Sequence, residues 1–443
     1  MKSRLERGLP LAARVRRFLA VGWTLAILYV SYSFGLGAAP DRPATHRRNA
    51  KRILRTVLEL QGLLIKVCQW LATRADLLPD EYVQVLSQLH DRVPPRPFGE
   101  IAPHLERSLG RPVGEVFASF DRAPIAAASL AQVHEATLRD GRRVAVKIQY
   151  PDIASIVATD VRNLRFFLGI VRRLEGNLDF LPLLDEVERY VSEELDFVHE
   201  GKNAEAIGAL YDGRDDVLAP KIVWELSSRK VLVMEFLDGV KVTDVEGLRA
   251  AGIDPTVVAE RLIHTYAEQI LLHGLFHADP HPGNVFVQAP PRPGAPPRLV
   301  LLDHGVVKRL PEDFRRGLAS VLLAMLRGRP AEMLANLGHI GFRTREGTYE
   351  DMVPLTQAML RFAGERPDQI SDAEMAERFG REILKAYRNN PVVKVPEDII
   401  LVMRVLGILG GVERQLGARV NLIQALLPYA KQGAEGTFHG LSG

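Results

Sequence analysis

Apolar and polar residues alternate with different periods along this chain, and each change of period marks a part of it. From Phe18 to Ala39 no charged residue occurs. As a helix rising about 1.5 Å per residue, that run would just cross a hydrocarbon core of about 30 Å. From Lys51 to Thr73, Ile53, Leu54, Val57, Leu58 and Leu64 follow helical spacing. Asp76 to Asp80, with Pro79, breaks that pattern, a second helix is predicted near Glu81 to His90, and a third from Phe98 to Leu109 beyond Pro94-Pro95. The period then falls to two. Ala131–Leu138 and Arg143–Gln149 flank Asp140-Gly141, a tight-turn dipeptide, and predict a hairpin. On its second strand Val144, Val146 and Ile148 point one way, and Ala145, Lys147 and Gln149 the other. Helices are expected at Ile153–Leu174 and Pro182–Leu210, and strands at Lys221–Leu226 and Lys230–Phe236. Beyond Gly239 the pattern is mostly helical, interrupted by strands at Val285–Val287 and Leu299–Leu302 around the loop Pro290–Pro297. A strand-rich segment followed by a helical one implies two lobes and a cleft between them.

Composition narrows the class. Over 443 residues, 47% hydrophobic and 25% charged residues describe a globular chain rather than a disordered or fibrous one. Basic residues crowd the first 55 positions, among them Arg14, Arg16, Arg17, Arg47, Arg48 and Lys51. They suit anionic lipid headgroups, and their presence on both sides of the apolar run leaves its orientation open. No aromatic residues interleave with the basic cluster near residues 47 to 55, so nucleic acid is not an expected partner. The run from Phe18 to Ala39 reads as a spanning helix or an in-plane anchor with Trp23, Tyr29 and Tyr32 near the interface. A buried core helix and a cleaved signal ending at Gly37-Ala38-Ala39 are the competing readings. Cys68, the single cysteine, excludes an internal disulfide.

Four separated motifs carry chemistry. Lys147 stands in Val144-Ala145-Val146-Lys147, on the strand face opposite three β-branched residues, where a lysine reaches phosphates while its stem stays packed. By itself this is also the pattern of an ordinary strand with a solvated lysine. In His277-Ala-Asp279-Pro-His281-Pro-Gly-Asn284, Asp279 and Asn284 stand five residues apart, the spacing by which a catalytic loop offers one residue to the acceptor and one to Mg²⁺. Asp303, in Leu301-Leu-Asp303-His304-Gly305, follows a short strand as a second Mg²⁺ ligand would. Met234 to Gly239 fits a hinge whose backbone at Glu235 and Leu237 would bind adenine.

These motifs resemble the UbiB/ADCK (AarF-type) family of atypical kinases, with a match running from about Arg47 to Tyr429. The family's alanine-rich nucleotide loop is similar to Ala126-Ala127-Ala128-Ser129 and the residues after it. Its K-x-G-Q motif resembles Lys66-Val67-Cys68-Gln69, and its E-x-D motif resembles Glu194-Leu195-Asp196. The resemblance implies that Glu200 pairs with Lys147, with Glu194 as the rival. It also implies that Lys66, Gln69, Glu194 and Asp196 lie over the cleft and restrict protein substrates. Two positions depart from the pattern: Cys68 replaces a glycine, placing a thiol near the site, and His304 replaces the usual Phe.

The expected fold is therefore α+β, a protein-kinase-like two-lobe architecture with an N-terminal helical extension and a hydrophobic anchor segment. Residues 1–45 would form the basic flank and anchor, 46–115 the extension, 116–238 the N-lobe and 239–443 the C-lobe. The expected activity is ATP hydrolysis or phosphoryl transfer with Mg²⁺, at a membrane and on its ATP-containing, cytoplasmic side. Its partners would be ATP, a membrane lipid or quinone-like small molecule, and quinone-biosynthesis proteins. Two other functions stand beside it. One is a nucleotide-binding pseudokinase scaffold. The other is a metallohydrolase built on His277, Asp279, His281, Asp303 and His304.

Overall fold

The computed structural model describes residues 9–33, 42–72, 78–90, 95–175, 180–292, 294–344, 392–394, 396–418, 420 and 422–435. The chain divides into two compact units, 1–201 with 222–236, and 202–221 with 237–443.

The first unit opens with four helices, α1 (Leu11–Ser33), α2 (Arg42–Leu60), α3 (Leu63–Ala72) and α4 (Asp80–Leu86). The helix expected across Lys51–Thr73 is two helices, because Gln61 and Gly62 take positive φ values of 53° and 75° between them. Ala50, Val57, Leu64, Ile65, Leu86 and Leu89 close a helical core of their own. Cys68 lies inside that core, and burial pushes its thiol up to about 12, so it stays protonated. This corrects the expectation that a thiol stands near the site.

Only part of the expected anchor segment lies within the described residues. Among the described residues no helix is long and apolar enough to cross a membrane. The apolar run continues a helix that begins at Leu11 and carries Arg14, Arg16 and Arg17; residues 34–39 of that run lie outside the described residues. One side of α1 is packed. Arg17 donates from Nε to Asp160 Oδ1 at 2.7 Å and from its guanidinium to the Leu60 and Gln61 carbonyls. Gly22 admits the ring of Phe167, which would lie 2.6 Å from a Cβ at that position.

After α5 (Phe98–Leu109) and the short α6 (Val113–Val116) comes an antiparallel sheet. Its strands are β1 (Phe117–Phe120), β2 (Ala126–Ala127), β3 (Ala131–Leu138), β4 (Arg143–Gln149) and β6 (Val231–Glu235), in the order β1-β3-β4-β6 with β2 on β3. The hairpin turns at Asp140-Gly141, where Gly141 has φ of 89°. Val144, Val146 and Ile148 join a core with Ile101, Leu105 and Ile153. The opposite face buries Ala145 against Phe197, Leu232 and Met234. Three helices follow: α7 (Ile153–Leu174), α8 (Leu181–Glu194) and α9 (Phe197–Ala209). The single helix expected over Pro182–Leu210 is interrupted because the Asp196 carboxylate accepts from the Val198 N–H at 3.1 Å and starts α9 afresh. The strand expected at Lys221–Leu226 shrinks to one bridge, Ile222 to Met234.

In the second unit β5 (Val217–Leu218) runs parallel to β10 (Arg298–Leu301), which pairs with β9 (Val285–Gln288) and through it with β7 (Val240–Lys241). β8 (Leu275–His277) pairs with β11 (Val307–Arg309), and β12 (Arg343–Thr344) with β13 (Val392–Lys394). Around them lie α10 (Val245–Ala250), α11 (Pro255–Ala267), α12 (Glu312–Leu326), α13 (Pro330–His339), α14 (Glu397–Leu416) and α15 (Leu422–Glu435). Asp254 caps α11 with Pro255 at its first turn, and the helix ends in a π-helical segment, Glu268–His273. Tyr266, Phe276, Val285, Val287 and Leu301 are at the centre of the core.

Candidate active site

Each unit assembles one group of chemistry-bearing side chains. In the first, Lys147 projects from the middle of β4 and donates from Nζ to Glu200 Oε1 at 2.6 Å. Both are buried, and the ammonium also lies 5.2 Å from the centroid of the Phe197 ring. Glu200, and not Glu194, is thus the partner of Lys147. Glu194 pairs instead with Lys66. Gln69 donates to the Leu89 carbonyl at 2.9 Å, and Asp196 also accepts from Arg229 at 3.2 Å. The side chains of Lys66, Gln69, Glu194 and Asp196 therefore tie helices and loops of the first unit together.

The alanine loop is the tip of a hairpin. Ala126 and Ala127 pair with Val133 and Gln132, and the Ala128 N–H donates to the Ala131 carbonyl at 2.8 Å. Ser129 is 1% exposed, and its Oγ has no hydrogen-bond partner among the described residues. A buried hydroxyl left that way costs free energy unless a ligand meets it. Glu235 ends β6, and the boundary between the compact units falls between Phe236 and Leu237.

In the second unit, His277 organises the loop. Its Nε2 faces two carbonyls, Leu302 at 3.1 Å and Asp303 at 2.9 Å, so that nitrogen carries the proton. Its Nδ1 accepts from the Tyr266 hydroxyl and the Asp279 N–H, each at 3.4 Å. Burial, and then the nearby negative charge of Asp279, push Tyr266 well above the ordinary tyrosine range, so it remains a donor. One imidazole thus sets the backbone of Asp303 relative to that of Asp279. A bond from the Leu302 N–H to the Asn284 carbonyl at 2.8 Å ties the third residue in. Gln269 supports His277 by accepting its N–H at 2.9 Å, and it stands in the π-helical segment, where the extra residue per turn re-aims side chains. His304 is buried and meets the His277 ring edge-on at 5.2 Å, so an imidazole fills the place of an apolar ring.

Asp279 is held from both sides. Asn284 Nδ2 donates to its Oδ2 at 3.2 Å, and Arg404 of α14 donates to its Oδ1 at 3.1 Å. Arg404 was not anticipated from the sequence; it lies 125 residues beyond Asp279, with no local motif around it. Asp303 has φ of +54°, in the left-handed region, with Oδ1 accepting from the Gly305 N–H at 3.3 Å. With Asn284 Nδ2 spent on Asp279, its amide oxygen is the atom suited to a metal. With the Asp303 carboxylate it would offer the hard oxygen donors that suit Mg²⁺, which takes one or two protein ligands and fills the rest with phosphate oxygens and water. The metallohydrolase arrangement is not formed. Among the described residues no group of three or more His, Cys, Asp or Glu could hold a metal ion. His277 is committed to backbone and Tyr266, and His281 Nδ1 accepts from the Gly283 N–H.

Known proteins share this framework. The family model of the ABC1 atypical kinase-like domain matches residues 88–336, more than half of the chain. The chain belongs to this atypical kinase family. Members similar to it include AarF domain-containing protein kinase 1 of Xenopus tropicalis, 34% identical over 386 residues that cover 85% of this chain and 72% of that one. The mouse protein of the same name is 32% identical, covering 92% of this chain and 79% of its own. The chloroplastic ACTIVITY OF BC1 COMPLEX KINASE 8 of Arabidopsis thaliana is 28% identical, covering 97% and 59%. A solved Mycobacterium tuberculosis structure, the complex of Rv3197 with erythromycin, shares the fold. Its TM-score is 0.59 at 24% identity, over 85% of this chain and 94% of that one. The UbiB/ADCK resemblance of the sequence motifs and the kinase-like α+β fold therefore stand.

Proposed function

We propose that this atypical kinase binds Mg-ATP and transfers or hydrolyses its terminal phosphate at a membrane, serving isoprenoid-quinone or related lipid metabolism. The observation that carries the proposal is the His277-centred network. It ties together the backbone at Asp279, Asn284 and Asp303, the three residues whose side chains would orient the acceptor and hold the metal. Asn284 and Asp303 would hold Mg²⁺, which when bound neutralises the phosphate oxygens that otherwise repel a nucleophile. Lys147, kept in place by Glu200, would bind the α- and β-phosphates, and the Ala126–Ser129 turn would cover them with the Ser129 hydroxyl as a donor. The backbone of Glu235 and Leu237 would bind adenine. Asp279 would orient the acceptor hydroxyl or water. Basic residues near the N-terminus and the quinone-linked resemblance support placing this chemistry at a membrane, on its ATP-containing face and beside quinone-biosynthesis proteins.

A second function, a nucleotide-binding scaffold, draws support from the Asp279 carboxylate, which Arg404 and Asn284 both engage. The deciding experiment is Mg²⁺-dependent ATP turnover by the full chain, with and without anionic vesicles and a quinone-headgroup analogue, beside Asp303→Asn. Asparagine tolerates left-handed backbone as aspartate does, so this variant removes charge without straining the chain. Turnover that falls to background in Asp303→Asn is expected. Tight nucleotide binding with no turnover in the wild type would favour the scaffold, and no nucleotide binding would end both readings.

A further inference from the structure

Helices α1 and α7 of the first unit carry side chains that neither the core nor the nucleotide chemistry uses. Leu11, Val15, Leu19 and Trp23 recur every fourth residue along α1, and all are exposed, Trp23 to 71%. Phe166, Ile170 and Leu174 repeat the spacing along α7, also exposed. The Phe18 ring, 5.6 Å from that of Phe166, joins the two stripes. Single exposed apolar residues are ordinary, whereas adjoining stripes mark a surface that something covers.

The same helices are strongly basic. α1 has three arginines and no acidic residue. α7 has four arginines and one carboxylate, Asp160, which Arg17 already occupies. Arg14 and Arg162 line a groove of about 210 Å³ together with Phe18, Thr159 and Asn163. That is several times the roughly 30 Å³ a water molecule occupies in the liquid. The Asn163 Nδ2 group is buried there with no hydrogen-bond partner among the described residues. An anion at this point would meet two guanidiniums and an amide donor at once.

We propose that this face docks on an anionic phospholipid surface. The two apolar stripes lie at the boundary of headgroups and acyl chains, and a lipid phosphate sits between Arg14, Arg162 and Asn163. The charge pattern selects this occupant. A second copy of the chain would bring the same arginines against these, and like charges in contact are costly. A lipid surface takes apolar side chains and arginines together, with Trp23 at the interfacial depth such rings prefer. The inference deepens the membrane part of the proposed function and is independent of the nucleotide chemistry.

The test uses the full chain with vesicles of phosphatidylcholine containing phosphatidylglycerol, and vesicles of phosphatidylcholine alone, read by flotation and tryptophan emission. Binding to the anionic vesicles, with a blue shift that Trp23→Phe removes while Trp70 and Trp224 remain, is the expected result. Arg14→Gln and Arg162→Gln should each weaken binding roughly fivefold. Leu19→Ser with Trp23→Ser should abolish it, with the melting temperature unchanged because both residues are exposed. Asp303→Asn should bind vesicles as the wild type does, so a failure of the kinase chemistry would leave this result standing. Equal binding to neutral vesicles, no binding, or unaltered binding by the variants would overturn the proposal. So would a dimer that Leu19→Ser dissolves.

Discussion

Lys147 with Glu200 and Arg404 with Asp279 are both cation–carboxylate pairs, yet their surroundings differ. The first is 2.6 Å long, with side chains 10% and 5% exposed; the second is 3.1 Å long, with side chains 24% and 31% exposed. Water does little to screen the first pair, so each member depends on the other to offset its lost hydration. Water competes with the second, whose carboxylate has a further partner in Asn284. The contrast teaches that one pair is a fixed fitting of the fold, while the other leaves its carboxylate able to change partners when an acceptor arrives.

The largest expected effect comes from breaking the buried pair. Glu200→Ala or Lys147→Ala should cost about 3–5 kcal/mol in urea unfolding, because each strands a buried charge. The double change Lys147→Met with Glu200→Leu should recover most of that loss, since no lone charge remains. Single and double variants of equal stability would erase the contrast.

His104 sharpens it by showing burial with no carboxylate hydrogen-bonded to the ring among the described residues. Its Nε2 is buried without a hydrogen bond. Burial, then the positive charges of Lys230 and Arg107, lower its pKa to about 4. A histidine depressed in the folded state contributes stability that is complete above the unfolded value of about 6.5 and disappears as pH falls toward 4. Its part exposure keeps the effect below about 2 kcal/mol. Urea midpoints measured from pH 7 to pH 4 should decline, and His104→Gln should flatten that slope.

The smallest stability effect belongs to Arg404. Arg404→Gln should change unfolding free energy by less than about 1 kcal/mol. It should leave nucleotide affinity unchanged and lower turnover roughly tenfold, because Asp279 loses one of the two groups that position it. A loss of nucleotide binding in this variant would place Arg404 in contact with nucleotide instead.

What the sequence made legible was local. The β3–β4 hairpin could be read because Asp140-Gly141 and strict alternation are short-range signals. Asp279, Asn284 and Asp303 could be read because their spacing follows from one turn and one short strand. Partner choice over long distances could not. Nothing near Arg404 announces Asp279, nothing near Arg17 announces Asp160, and His277 shows its role only once Tyr266, Gln269 and the carbonyls of Leu302 and Asp303 surround it. The break at Asp196 was missed for a different reason. Apolar periodicity continues across it, and the break is made by the capping bond to Val198 and by the Phe197 N–H, which donates to the distant Arg229 carbonyl at 3.2 Å. How the apolar run after Phe18 is used could not be read either, because low charge alone does not distinguish a lipid-facing helix from one side of a packed one.

The left-handed backbone at Asp303 has an evolutionary consequence. Glycine would adopt φ of +54° without a steric penalty, whereas a side chain there is tolerated at a cost. A population selected for heat resistance alone should drift toward glycine at residue 303, while one selected for turnover should keep the carboxylate. Mutational scans under those two selections would thus favour different residues at the same position, and that divergence marks a residue retained for chemistry and not for folding.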